Sequence, residues 1–201
     1  MNDLTWPEKL RAAVSEIVGS ETADHVVGDC GNLPDETSKA TWAGQAIRRL
    51  EVAVPDESTR WEIMSRCSCT CADDLIAEHR DSFRNHRDLH RLLEEMYQKP
   101  FFVRPELDGN SIKLTKVACN REAFDQATTD ADRRIAYCHC EFARGSKGDI
   151  PETHCYCGGG WYKRIFEGIL ERKVEMRLLK SVMRGDDICQ FAVIVPPDCT
   201  E

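Results

Sequence analysis

The spacing of apolar positions changes character about halfway along the chain. Through the first hundred residues it follows a helical repeat. Thr5, Pro7 and Glu8 form a capping box with proline in the first turn, which predicts a helix running to about Val18. A second helix is expected to open near Pro34, because Ala40, Trp42, Ala43, Ala46, Ile47 and Leu50 recur at helical spacing. Pro55, Asp56 and Glu57 start a third and leave Trp61, Ile63 and Met64 available for burial. The clearest pattern lies between Arg87 and Gln98, where Leu89, Leu92, Leu93, Met96 and Tyr97 fall at i, i+3, i+4, i+7 and i+8. Pro100 is expected to end that helix.

From Phe101 onward the period shortens towards two. Glu106 to Val117 reads as a hairpin turning at Asp108, Gly109 and Asn110, with Ile112 and Leu114 alternating with polar neighbours. A strand is expected from Ile135 to Phe142, then an amphipathic helix from Trp161 to Leu170 introduced by three glycines. Two strands close the chain, Val174 to Met183 and Ile188 to Val195, joined by a turn at Arg184, Gly185 and Asp186. In the last of them Cys189, Phe191, Val193 and Val195 share a face, which aims Cys189 at a core or pocket. The pattern predicts an α+β protein: a helical region over residues 1–100 and a cysteine-rich α+β region over 101–201, together forming one compact domain.

Charge narrows the partners. Thirty-five acidic against 27 basic residues give a formal charge of −8, which repels phosphate backbones and argues against nucleic acid. No stretch approaches the roughly 20 apolar residues that span a bilayer, FAVIV being the longest run, so a soluble protein without a membrane partner is expected. Eleven cysteines, an odd count with no signal-peptide pattern ahead of them, argue against a secreted disulfide scaffold. In a reducing cytoplasm, the expected location, such cysteines serve as metal ligands, redox centres or nucleophiles.

Four of them form two matched Cys-x-Cys pairs, Cys138 and Cys140 in YCHCEF and Cys155 and Cys157 in HCYCGGGW. In a strand, residues two apart point the same way, so two such strands paired as a hairpin would gather four sulfurs on one face. Zinc takes four thiolates at tetrahedral corners, about 2.3 Å away, and iron–sulfur clusters take a similar set. A third group, Cys67, Cys69 and Cys71 in RCSCTCADD, would place Cys67 and Cys71 one turn apart on a helix, good spacing for two ligands of one metal. The plainer role for any of these, and for Cys30, Cys119 and Cys199, is that of a small buried hydrophobe. His86 and His90 stand four apart but lie among Arg84, Arg87 and Arg91, which reads as a solvated basic face. His139 and His154 adjoin the Cys pairs, on the face alternation sets opposite the sulfurs. Gly158, Gly159 and Gly160, followed by Trp161 and Lys163, are candidate ligand-binding residues, since glycines let backbone amides approach a ligand and a helix start favours an anion. A tight strand-to-helix turn explains the same glycines.

The run GDDICQFAVIVP, preceded by a strand and by a helix opening with GGGWY, resembles the end of the 4-vinyl reductase domain superfamily. The CHC and CYC segments bring the resemblance nearest to its cysteine-rich branch, grouped with L-2-amino-thiazoline-4-carboxylic acid hydrolase-like proteins, over residues 135–196. The resemblance implies helices packed on an antiparallel sheet, a small-molecule pocket between them and a homodimer. Some sensor members of the superfamily bind zinc through a Glu-x-x-Cys on the penultimate strand and the Cys of a final Gly-Asp-x-x-Cys. Cys189 matches that last Cys, whereas Leu178 and Ser181 occupy the other two positions, so a metal here would use Cys67, Cys71, Cys138, Cys140, Cys155 and Cys157 instead. The expected function is a small-molecule-binding domain with a cysteine-thiolate metal centre, zinc or iron–sulfur, beside a pocket for a small anionic ligand. The alternatives are a hydrolase of a small amide or thiazoline, working through a Cys thiolate or a metal-bound water, and a metal or thiol carrier.

Overall fold

The computed structural model describes residues 4–69, 72–99, 103–146 and 150–199. Six helices come first: α1 (Trp6–Ile17), α2 (Ser20–Val27), α3 (Glu36–Ala53), α4 (Glu57–Arg66), α5 (Asp73–His86) and α6 (Leu89–Tyr97). Local chemistry sets their starts. Glu8 accepts from the Thr5 backbone N–H and hydroxyl, both at 2.7 Å, closing the capping box of α1. Asp35, Asp56 and Asp88 cap α3, α4 and α6 by accepting from the N–H groups of Ser38, Thr59 and Arg91. Arg87, in the left-handed region at φ 52°, separates α5 from α6. His86 and His90 therefore stand on different helices and do not form the helical pair their spacing allowed.

The second half begins with a hairpin of β1 (Glu106–Asp108) and β2 (Ser111–Thr115), turning through Gly109 at φ 57°. Three short helices follow, α7 (Arg121–Gln126), α8 (Asp130–Tyr137) and α9 (Glu141–Arg144). A 3-10 turn at Glu152–Cys155 runs straight into α10 (Tyr156–Leu170). Strand β3 (Glu175–Lys180), a 3-10 turn at Val182–Arg184 and strand β4 (Gln190–Ile194) complete an antiparallel sheet of order β1-β2-β4-β3.

Register aligns Ile112, Val193 and Met176 across the sheet, and Leu114, Phe191 and Leu178 in the next row. All but the half-buried Leu178 are buried, and α10 covers that face with Ile165, Phe166, Ile169 and Leu170. The opposite face carries Lys113 paired with Glu106 and Arg177 with Glu175. Helix α10 packs in turn on α4 and α5, and α3 packs on α9. One hydrophobic core thus runs through both halves of the chain. Among the described residues no helix is long and apolar enough to cross a membrane.

Two expected elements are replaced. The strand placed at Ile135 to Phe142 is the end of α8, an extended corner and α9. Thr129 caps α8 by accepting from the Asp132 N–H, and burial there does not alternate: Ile135 is exposed while Ala136 and Tyr137 are buried. The cysteine pairs accordingly do not form a hairpin. The triple glycine is not a turn ahead of a helix either, because α10 already begins at Tyr156.

Candidate functional site

A cavity of about 1230 Å³ opens between α1, the end of α4, the corner joining α8 to α9, the start of α10 and the sheet end formed by Lys116 and Cys189. Cysteines reach it from separate segments. Cys67 closes α4 as its C-cap and Cys69 follows it. Cys138 caps the end of α8 and Cys140 the start of α9, with both backbones extended. Cys155 ends the 3-10 turn and Cys157 stands in the first turn of α10, while Cys189 immediately precedes β4. Cys30, between α2 and α3, completes the wall.

Of the expected metal ligands, Cys67, Cys138, Cys140, Cys155 and Cys157 are brought together; Cys71 lies outside the described residues. Cys67 follows the last residue of α4, and its expected pairing with Cys71 on one helix lies outside the described residues. Of the expected ligand-binding residues, Gly158 and Trp161 line the cavity. Gly159 and Gly160 are instead close-packing positions: a methyl on Gly159 would meet the Trp61 ring at 2.5 and 2.7 Å, and one on Gly160 the Ser65 carbonyl oxygen at 2.6 Å. Lys163 is half-buried on α10 and is not part of the cavity wall. Cys189, aimed at a core or pocket by its strand, does face the cavity.

The sulfurs sit in dense surroundings that oppose charge. Burial is the leading cause in each case, pushing Cys138 and Cys157 up to about 12 and Cys67 and Cys155 well above the ordinary thiol value. Cys140 and Cys189 are also raised by burial. Neighbouring sulfurs add to this: Cys140 repels charge on Cys157, and Cys189 and Cys138 repel it on Cys155. Lys116 works in the opposite sense on Cys138, Cys140, Cys155, Cys157 and Cys189, and Lys9 does so on Cys67. The Trp6 indole N–H lies close enough to Cys157 to favour its thiolate without closing a hydrogen bond.

Cations on the wall divide into paired and unpaired. Lys39 is held by Glu141, Arg144 by Glu36 and Arg11 by Asp24. Among the described residues neither Lys116 nor Lys9 meets a carboxylate; the Lys9 ammonium donates to the Ser68 carbonyl at 3.2 Å. Both histidines expected on the face away from the sulfurs line the same cavity. His139 Nε2 lies 2.9 Å from the Val117 carbonyl. His154 is buried with its ring centroid 5.0 Å from that of Trp6, and burial first, then Lys116, pushes it down to about 4. Its Nδ1 has no hydrogen-bond partner among the described residues.

Lys116, Lys9 and Trp6 carried no signal in the sequence, because their roles depend on distant segments. Cys189 was legible through alternation along β4. Among the described residues no three His, Cys, Asp or Glu side chains close on a point that one metal ion could occupy. The sulfurs gird a space rather than a point.

Fold and site together define an α+β protein with a thiol-walled cavity between its N-terminal helices and the end of its sheet. The chain belongs to the family of unknown function DUF6144, whose model matches residues 7–199 and so spans both the helical half and the sheet. No curated protein and no solved structure matches it.

Proposed function

We propose that this protein holds an iron–sulfur cluster on the thiolates of its cavity and presents it to a small anionic molecule bound alongside. The observation that carries this is the convergence of eight described cysteines, from both halves of the chain, on one cavity. Cysteines serving only as small hydrophobes have no reason to share a wall. Their raised pKa values make free thiolates costly at neutral pH, and a bound metal centre reverses that logic because it stabilises the deprotonated sulfur. A mononuclear zinc needs its ligands on one point, whereas a cluster has bulk of its own and is met by more widely spaced sulfurs.

Small-ligand pockets commonly measure about 300 to 1,000 Å³, so the cavity has room for a second occupant. Lys116 and Lys9 give that occupant its charge preference. A hydrolase working through a free thiolate nucleophile is disfavoured by the same raised thiols. The resemblance to the 4-vinyl reductase domain gains support from α10 lying on the antiparallel sheet and from Cys189, last residue of Gly185-Asp186-Asp187-Ile188-Cys189, facing the cavity. Ser181 stands where that superfamily's zinc site has a Cys, and its hydroxyl lies 3.1 Å from Cys155 Sγ. A sulfur thus reaches this point from the 3-10 turn ahead of α10 rather than from the strand.

The test is anaerobic reconstitution with ferrous iron and sulfide. Broad visible absorption with protein-bound iron and acid-labile sulfide is the expected result. Colourless protein with stoichiometric zinc selects a mononuclear centre, and protein binding neither overturns the proposal.

A further inference from the structure

Strand β3 stands at the open edge of the sheet, and among the described residues no strand pairs with its outer side. The ladder fixes which of its backbone groups face outward. The Lys116 N–H donates to the Cys189 carbonyl and the Val195 N–H to the Asn110 carbonyl, both at 2.9 Å, so the odd-numbered residues of β4 bond towards β2. Antiparallel bonding alternates, so Ala192 and Ile194 bond instead to their register partners Arg177 and Glu175. Val174, Met176 and Leu178 are left with their N–H and C=O groups pointing away from the sheet. Side chains of the same copy close this row at both ends: the Val174 N–H donates to Glu167 at 3.2 Å, and Arg184 donates at 2.6 Å to the Leu179 carbonyl, where the register shifts. The stretch left open, from the Val174 carbonyl to Leu178, is centred on Met176.

Charge follows the same symmetry. Glu175 and Arg177 flank Met176 on the outer face, pair with each other at 2.9 Å and are both more than half exposed. An edge guarded by one sign of charge repels a second copy, whereas opposite signs placed either side of a midpoint attract one that runs antiparallel.

We propose that two copies of this chain pair β3 against β3, antiparallel, about a two-fold axis at Met176, and so join their sheets edge to edge. In that register Met176 exchanges two hydrogen bonds with its own counterpart, and each Leu178 N–H meets the Val174 carbonyl of the second copy. Glu175 lies opposite Arg177 of the second copy, in the non-hydrogen-bonded position where facing side chains come closest. The half-buried Leu178 is covered by Val174 of the second copy. Moving the axis to Arg177 would set like charges directly opposite each other, which destabilises a sheet.

Sedimentation velocity across a concentration series tests the pairing, and a monomer–dimer equilibrium is expected. Arg177→Glu should weaken dimerisation about tenfold or more by setting like charges opposite each other at two symmetric positions. The Glu175→Arg, Arg177→Glu double variant should restore it. Both positions are exposed, so neither variant threatens the fold. Register is read by mixing Glu175→Cys chains with Arg177→Cys chains under oxidised glutathione and mapping disulfide-linked peptides by mass spectrometry. A bond between positions 175 and 177 is expected in the mixture, since facing Cα atoms about 4.5 Å apart can be bridged, and neither variant alone should link through its new cysteine. A monomer at every concentration, a dimer indifferent to Arg177→Glu, or Arg177→Cys chains linking to one another through position 177 overturns the proposal.

Discussion

Replacing Gly160 by Ala tests whether the glycines of α10 are there for packing. A methyl group at that position would lie 2.6 Å from the Ser65 carbonyl oxygen and 2.9 Å from its carbon, and closer still to Ser65 Cα. All three atoms are backbone of α4, which has no rotamer to change, so α4 and α10 must separate. Overpacking of this kind costs about 1 to 3 kcal/mol, and a rigid neighbour puts it near the upper end. Against this, Ala gains about 0.8 to 1 kcal/mol over Gly inside a helix. The net destabilisation should be about 1 to 2 kcal/mol. Gly158→Ala is the internal control: its methyl would meet only Phe191 Cζ, at an ordinary 3.6 Å, so it should leave stability unchanged or raise it by up to about 1 kcal/mol. Urea unfolding of the metal-free variants by far-ultraviolet circular dichroism measures both. Moving α4 also shifts Cys67 relative to Cys157, so Gly160→Ala should retain less iron than wild type. Equal stability of the two variants would refute the packing argument.

Three further outcomes follow from the site. His154 is held neutral down to about pH 4, whereas in the unfolded chain it takes up a proton below about 6.5, so the metal-free protein should be fully stable above 6.5 and lose stability as pH falls towards 4. The loss should reach about 2 kcal/mol between pH 7 and pH 5 by urea unfolding, and His154→Leu should remove that component; an unchanged pH slope in the variant would contradict the buried neutral histidine. In metal-free protein at neutral pH, iodoacetamide should label the exposed Cys69 and Cys119 well before Cys138 and Cys157, and equal rates by mass spectrometry would refute the burial argument. In the iron-loaded protein Lys116→Gln should lower the midpoint potential, because removing a nearby positive charge disfavours the reduced, more negative centre; an unaltered potential would take Lys116 away from the sulfurs.

The starts of α1 and α4 were legible because capping is local: Thr5 with Glu8, and Asp56 ahead of Glu57, announce themselves within four residues, whereas α2 and α5 went unread. The hairpin at Asp108 to Asn110 and the final strands were legible for the same reason. The cysteine pairs line one cavity, but they reach it from helix ends and a corner rather than from the expected hairpin. Tyr137 and Ile135 favour strands, yet Thr129 caps a helix there and the Tyr137 hydroxyl donates to the Lys116 carbonyl, a contact 21 residues away in sequence. Glycines 158 to 160 look like a turn in isolation, and only the approach of Trp61 and Ser65 from α4 shows why a helix needs them. Lys116 is one lysine among many until the fold sets it facing the sulfurs.

Iron K-edge X-ray absorption of anaerobically isolated, reconstituted protein tests the central claim most directly. Iron surrounded by sulfur, with a second shell of iron neighbours, is the result the cysteine-walled cavity predicts. Iron bound only by oxygen or nitrogen, or a protein that carries no iron with its cavity thiols still freely titratable, would contradict it.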